Sequence, residues 1–203
     1  MRCFIAILIL SGYCQLLGKK SYWNTDGDLG NRLVTEAMRR DHFLTIWRCL
    51  HCADNNLLHP TDKYYKLRSF SDLLRHRFLK WFVPEEDLNY DESMGKYFGK
   101  HACKQFIRGK PIRFGYKVWS LNTKSGYLVN FSLYQGKDAR VKEEYQVVFG
   151  KCTAPLLMLL DKLPEEKKKR RYNLFTDNLF TSFHLLSHLK TRGYSSTGTI
   201  RII

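Results

Sequence analysis

Apolar residues recur at helical spacing through the first part of the chain. From Phe43 they fall at i, i+3, i+4 and i+7, which is one face of a helix, and Asp41 stands before them as the expected N-cap. Apolar faces over 33–38 and 70–81 predict two more helices. Residues 1–84 are therefore predicted to form a helical region.

The chain begins with one basic residue and a short apolar run, as a signal peptide does. Polar and glycine residues interrupt the run from Ser11 onward, and no small residues follow at cleavage-site spacing. The run is also shorter than the ~20 apolar residues that span a bilayer. A buried helix over residues 1–17 is therefore the better interpretation, and we expect no membrane partner.

The sequence changes after Pro84 from helical spacing to strand-like runs, and apolar residues alternate over 112–118. Residues 88–94 predict a short strand. Two runs rich in Val, Phe, Tyr and Trp, 112–121 and 127–134, follow it, and turn-forming residues 122–126 join them. This arrangement predicts a β-hairpin.

Helices and strands alternate beyond the hairpin. The predicted order is a helix over 142–163 that restarts at Thr153, a strand over 170–177, a helix over 180–192 closed by Gly193, and a strand over 195–203. Three antiparallel strands followed by helix-connected strands form an α+β pattern. We therefore predict that residues 85–203 form an incomplete RNase H-like core, with helices around a mixed five-stranded sheet.

The charge balance makes nucleic acid the expected partner. Lys and Arg total 34 against 19 acidic residues, a net charge of +15 at neutral pH, and such a cationic surface attracts polyanions. An anionic membrane surface or an acidic partner would fit the charge as well. Because 44% of the residues are hydrophobic, the chain can bury a core and global disorder is not expected.

The six cysteines are scattered along the chain, which favours free thiols over a disulfide framework. Cys49, His51 and Cys52, with His59 nearby, raise a zinc hypothesis. No second ligand pair follows at finger-like spacing, so zinc is the weaker interpretation.

Two aspartates stand where neighbouring strands would bring them together. Asp91 lies in the first predicted strand and Asp177 ends the fourth, and these strands are neighbours in an RNase H-like sheet. Two divalent ions held ~3.5–4 Å apart by such carboxylates stabilise the attacking and leaving oxygens of a phosphodiester. Spacing alone leaves open that each aspartate is only a strand-end or turn residue.

Several short motifs, in the same order along the chain, resemble those of piggyBac transposases. They are Tyr22-Trp23, Met38-x-x-Asp41-x-Phe43, Leu50-His51-x-x-Asp54-Asn55, YDESM at 90–94, FIRGKPIRFGYK at 106–117, Gly126-Tyr127, YQGK at 134–137, DNLFTS at 177–182 and TGTIR at 197–201. The chain is thus similar over nearly its whole length to the piggyBac transposase and transposable element-derived family.

The resemblance implies cut-and-paste DNA transposition by two-metal phosphodiester chemistry, with Mg²⁺ or Mn²⁺ as cofactor. By position, Asp91 and Asp177 are the first two of the family's three catalytic, metal-binding aspartates. The third is expected beyond an Arg-rich element, whereas the sequence ends at Ile203. With two of three carboxylates, we expect weak metal binding and no strand cleavage by this chain alone.

DNA binding is expected to persist without cleavage. Six basic residues near the predicted site are candidates for phosphate contacts: Lys100, Lys104, Arg108, Lys110, Arg113 and Lys117. A basic surface without a defined site is the alternative. We expect a nuclear protein with no small-molecule substrate, and an uncovered last strand predicts self-association, with a homodimer as one form.

Two other interpretations stay open. A domesticated, non-enzymatic protein could keep the transposase-derived fold for binding DNA or protein. Alternatively, the sequence is a partial gene model of an active transposase. An Arg-rich element followed by an aspartate in a longer transcript would favour the partial gene model.

Overall fold

The chain forms two compact units. A computed structural model describes residues 1–26, 29–57 and 59–200. The units are Met1–Cys52 and Ala53–Ile203. The division falls earlier than the change from helices to strands at which we predicted the domain boundary, 84/85, because the helix before that boundary packs on the sheet.

The first unit is helical, as predicted, and has its own small core. Its helices are α1 (Arg2–Tyr13), α2 (Arg32–Ala37) and α3 (Arg40–Cys49). The buried residues are Phe4, Ile7, Tyr22, Val34 and Phe43. Only one face of α1 is therefore buried. In the part of the chain that the structure describes, no helix combines the length and apolarity needed to cross a membrane.

The predicted N-cap of α3 is wrong. The capping position is Arg39, and Asp41 lies inside the first turn. The Asp41 carboxylate is exposed and pairs with Arg40, so it accepts no hydrogen bond from the helix start. An acidic side chain in a first turn is still favourable, because it faces the positive end of the helix dipole.

The second unit is a mixed α+β sheet structure, as predicted. Its elements are α4 (Tyr65–Trp81), β1 (Asp87–Lys96), β2 (Lys104–Phe106), β3 (Phe114–Thr123), β4 (Leu128–Leu133), α5 (Glu143–Asp161), α6 (Glu165–Lys168), β5 (Asn173–Thr176), α7 (Phe183–Thr191) and β6 (Ser195–Gly198).

The sheet has six strands in the described residues, one more than predicted. The order is β2-β3-β1-β5-β6, and β4 also pairs with β3. Strands β1, β2 and β4 run antiparallel to β3, whereas β5 runs parallel to β1 and to β6. The extra strand, β2, is three residues long, too short to show alternation in the sequence.

Helix α5 supplies the core on one face of the sheet. Its backbone is broken at Gly150, which has a φ of 79° and a ψ of 166°. A positive φ suits glycine, which has no Cβ to clash. The helix restarts after this break, so Pro155 lies near the new helix start, where a missing N–H is tolerated, as predicted. The restarted segment 153–160 is buried throughout.

A close backbone approach fixes the end of β1 against β3. Gly115 pairs with Lys96, and a Cβ added at Gly115 would lie 1.9 Å from the carbonyl oxygen of Gly95. Such a contact is far inside van der Waals distance, so any larger residue at 115 has to push the two strands apart.

We predict that Gly115→Ala lowers the free energy of unfolding by about 1–3 kcal/mol, because the added methyl group has no room. Urea unfolding measures this. Gly95→Ala is the matched control, since a Cβ there would meet its nearest neighbour, the Tyr116 carbonyl oxygen, at 3.8 Å. Equal stabilities of the two variants would contradict the prediction.

Candidate metal centre

Parallel pairing of β1 and β5 brings the two predicted aspartates together. The register aligns Leu88 with Leu174 and Tyr90 with Thr176. An aspartate follows each residue of the second pair: Asp91 follows Tyr90, and Asp177 follows Thr176. Leu88, Tyr90 and Leu174 are fully buried in the core that α5 covers. Alternation therefore directs Asp91 towards the opposite face of the sheet.

Asp177 begins the turn that joins β5 to α7. Its Oδ1 accepts a hydrogen bond from the Leu179 backbone N–H at 2.9 Å, and its carbonyl oxygen accepts one from the Thr181 hydroxyl at 2.7 Å. The Ser182 hydroxyl then accepts a hydrogen bond from the Leu185 N–H and caps α7. The sequence 177–182 thus folds locally into a turn and cap that hold the Asp177 carboxylate in place.

An open cleft lies beside β1 and the C-terminal ends of β5 and β6. It has a volume of about 340 Å³, and it is lined by Asn89, Tyr90, Asp91, Phe175, Thr176, Asp177, Thr197, Gly198 and Thr199. Strand β6 closes one side of it. A Cβ at Gly198 would lie 2.1 Å from the Thr181 hydroxyl oxygen, so only glycine lets β6 approach the Asp177 turn this closely.

A third carboxylate, Glu92, joins the two aspartates. Ligand oxygens of Asp91, Glu92 and Asp177 all lie within 4.8 Å of one another, which is the only such group found in the part of the chain that the structure describes. Sequence reasoning missed Glu92, because strand alternation directs neighbouring residues to opposite faces. The adjacent acidic pair in the sequence was the available signal.

The pKa of the Asp91 carboxyl lies above its usual range. Burial is the main cause, since it disfavours the charged form, and the neighbouring Glu92 and Asp177 carboxylates raise the pKa further. The Glu92 backbone N–H, which donates to Asp91 Oδ1 at 2.7 Å, and the Lys110 ammonium act in the opposite direction without cancelling the rise. Without a bound cation, the carboxylates of Asp91, Glu92 and Asp177 therefore repel one another.

Of the six basic residues predicted to contact DNA, Lys110 approaches the carboxylates. Its Nζ lies 3.2 Å from Glu92 Oε1. Burial lowers the pKa of the Lys110 ammonium, but the hydrogen bond to Glu92 and the charges of Glu92, Asp91 and Asp177 outweigh it, so the pKa is raised.

The other five basic residues have different surroundings. Lys117 Nζ lies over the Trp119 ring, 4.1 Å from its centroid, and Lys104 Nζ lies 5.9 Å from the centroid of Phe114. Lys100, Arg108 and Arg113 are exposed. These three are available for a partner, and their DNA-binding role stays a prediction.

The whole chain matches a known protein family. Residues 1–202 match the family described as Transposase IS4. PiggyBac transposable element-derived protein 3 of Homo sapiens is 45% identical over 202 residues, and the human piggyBac transposable element-derived protein 2 is 38% identical over 201 residues. The chain belongs to the piggyBac family. The family predicted from the sequence motifs is thereby confirmed.

A solved structure confirms the fold of this piggyBac-family chain. The cryo-EM structure of a piggyBac transposase synaptic complex with hairpin DNA superimposes with a TM-score of 0.75 at 24% identity, covering 98% of this chain and 41% of that one. The predicted RNase H-like α+β core is therefore correct. The chain spans 33% of the length of each of the two human relatives, while 98% and 99% of its own residues are matched.

We predict that Asp91→Asn stabilises the metal-free piggyBac-family chain at neutral pH. A carboxyl whose pKa is raised in the folded state is destabilising when ionised, and a neutral amide removes that cost. The melting temperature should rise by about 1–2 °C. Because the cost disappears as the carboxyl protonates, the gain should shrink as the pH falls through the raised pKa and vanish below the ordinary value of 3.8.

Differential scanning calorimetry in the presence of a chelator measures this difference. Glu144→Gln makes the equivalent change at an exposed position in the first turn of α5 and should give no rise. A melting temperature that Asp91→Asn lowers at neutral pH would refute the electrostatic account of the cleft.

Proposed function

We propose that the chain is the metal- and DNA-binding part of a transposase catalytic core, whose reaction is the cleavage and transfer of DNA phosphodiester bonds in cut-and-paste transposition. The observation that carries the proposal is the convergence of the Asp91 and Asp177 carboxylates at an open cleft. With DNA as its partner, we assign the chain to the nucleus.

The residues of the cleft fit a divalent cation. Carboxylate oxygens are the hard ligands that Mg²⁺ and Mn²⁺ prefer. The Glu92 and Asp177 carboxylates lie close to Asp91, and a bound cation would offset the repulsion among the three negative charges. Metal ions bound by such carboxylates supply charge stabilisation at the attacking and leaving oxygens of a phosphodiester.

The chain's own residues have two roles in this proposal. Asp91, in β1, and Asp177, directly after β5, would hold the ions, and the sheet and the α7 cap fix the positions of the two residues. The cleft is open to solvent, so a sugar–phosphate backbone can approach the carboxylates. Arg108 and Arg113, on the loop that also carries Lys110, are exposed and would contact the phosphates.

Because the chain spans 33% of the length of the two human relatives, the complete transposition reaction is proposed only for a longer protein that contains this core. The chain is also 45% identical to 18% of the chimeric ERCC6-PGBD3 protein of Homo sapiens. PiggyBac-derived sequence therefore also occurs in that protein as part of a larger chain. A non-enzymatic role in DNA binding is the second candidate, because the exposed basic residues do not depend on the carboxylates.

We predict that Mn²⁺ binds the wild-type chain and that Asp177→Asn weakens this binding at least tenfold, because a ligand with negative charge is removed. Isothermal titration calorimetry measures the affinity, with Glu144→Gln as the control of equal charge change. Saturating Mn²⁺ should also raise the melting temperature of the wild type and the control equally, and that of Asp177→Asn by less.

Duplex DNA binding, measured by fluorescence anisotropy over a range of salt concentrations, separates the two candidates. The catalytic-core proposal requires Mn²⁺ binding that depends on Asp177. Salt-dependent DNA binding in a wild-type chain that binds no Mn²⁺ would instead establish the non-enzymatic role.

A further inference from the structure

Glu92 is a buried carboxylate with one of its two oxygens unpaired. Its side chain is 10% exposed, and Oε1 accepts from the Lys110 ammonium. The other oxygen, Oε2, is buried and has no hydrogen-bond partner among the described residues. Buried polar atoms in folded proteins nearly always have a partner, so an orphaned one indicates a partner that the protein chain does not supply.

The position of Glu92 indicates what that partner is. Its carboxylate belongs to the same group, within 4.8 Å, as those of Asp91 and Asp177. One ammonium, that of Lys110, accompanies these three carboxylates and leaves two negative charges unbalanced. A divalent cation carries the charge that is lacking, and its oxygen chemistry matches the orphaned atom.

The Lys110 ammonium offsets part of the negative charge of the three carboxylates while no cation is bound. It lies on the loop between β2 and β3, whose ends are joined by a hydrogen bond from the Ile107 N–H to the Arg113 carbonyl oxygen. Gly109, with a φ of 89°, gives the loop its turn. The Lys110 side chain is about a third exposed, so the ammonium can leave Glu92 for water.

We propose that Glu92 is a third protein ligand of the divalent-cation site formed with Asp91 and Asp177, and that Lys110 occupies its carboxylate when no metal ion is bound. This rests on the proposed metal centre and adds a residue to it. Glu92 directly follows Asp91 in β1, and ligand oxygens of both lie within 4.8 Å of each other, so consecutive residues of one strand would both hold the cation. The alternative role for Glu92 is an anchor for the Lys110 loop without metal contact.

Europium luminescence distinguishes a ligand from a nearby charge. Eu³⁺ seeks hard oxygen ligands, and its lifetimes in H₂O and D₂O count the water molecules bound to the ion. Glu92→Gln should weaken Eu³⁺ and Mn²⁺ binding about tenfold and add about one bound water. Glu92→Asp keeps the charge but shortens the side chain, so it should also add a bound water.

Lys110→Met removes the competing ammonium and provides a second measurement. It should strengthen Mn²⁺ binding several-fold in the wild-type background. Much of this gain should disappear in the Glu92→Gln background, because Lys110 then competes for no ligand. The exposed control, Glu144→Gln, should change neither the affinity nor the number of bound waters.

The possible failures are distinguishable. If the wild type binds Eu³⁺ through Asp177 but the Glu92 variants keep its water count, Glu92 is not a ligand and the inference is overturned while the metal centre stands. If the wild type binds neither ion, or if Asp177→Asn binds as the wild type does, the proposed metal centre itself fails and the role of Glu92 fails with it.

Discussion

The site depends on the parallel register between β1 and β5. Leu88 faces Leu174 and Tyr90 faces Thr176, and this pairing places Asp91 beside Asp177. A slip of one residue would turn the side chains of a strand to the other face and separate the two carboxylates. The register is specified by burial, because Leu88, Tyr90 and Leu174 have to lie beneath α5. The break at Gly150 separates the buried segment 153–160 from the first part of α5, in which no residue is fully buried.

Charge at the cleft opposes this packing. The core on one face of the sheet stabilises β1 and β5, whereas Asp91, Glu92 and Asp177 bring three negative charges together in a partly buried place. The raised pKa of Asp91 and the orphaned oxygen of Glu92 are two consequences of the same arrangement. Functional sites commonly retain such unfavourable groups because the rest of the fold maintains them. Here the buried core beneath β1 and the N-cap of α7 hold the repelling carboxylates in place.

Much of the fold could be predicted because its signals are local. Runs rich in Val, Phe, Tyr and Trp identified β3 and β4, alternation supported β3, and turn residues separated the later helices and strands. The signals failed where tertiary contacts decide the structure. Three-residue β2 exists only through its pairing with β3. Asp41 is a good N-cap by type, but the helix begins at Arg40, two residues earlier than a helix capped by Asp41 would.

The candidate site was partly predictable for the same reason. Asp91 and Asp177 followed from strand order and family motifs, and the structure brings them together. Glu92 could not be found from alternation, since alternation assigns consecutive strand residues to opposite faces, whereas ligand oxygens of Asp91 and Glu92 lie within 4.8 Å of each other. Among the predicted DNA contacts, sequence could not tell that Lys110 pairs with Glu92 or that Lys117 lies over Trp119. Such pairings depend on loop and cross-strand geometry.

A crystal structure of the chain soaked in Mn²⁺, with anomalous diffraction measured at the manganese edge, tests the central claim most directly. The account predicts an anomalous peak at the cleft about 2.1 Å from carboxylate oxygens of Asp91 and Asp177. A crystal with a fully hydrated or absent ion at the cleft, at Mn²⁺ concentrations that saturate the protein in solution, would contradict it.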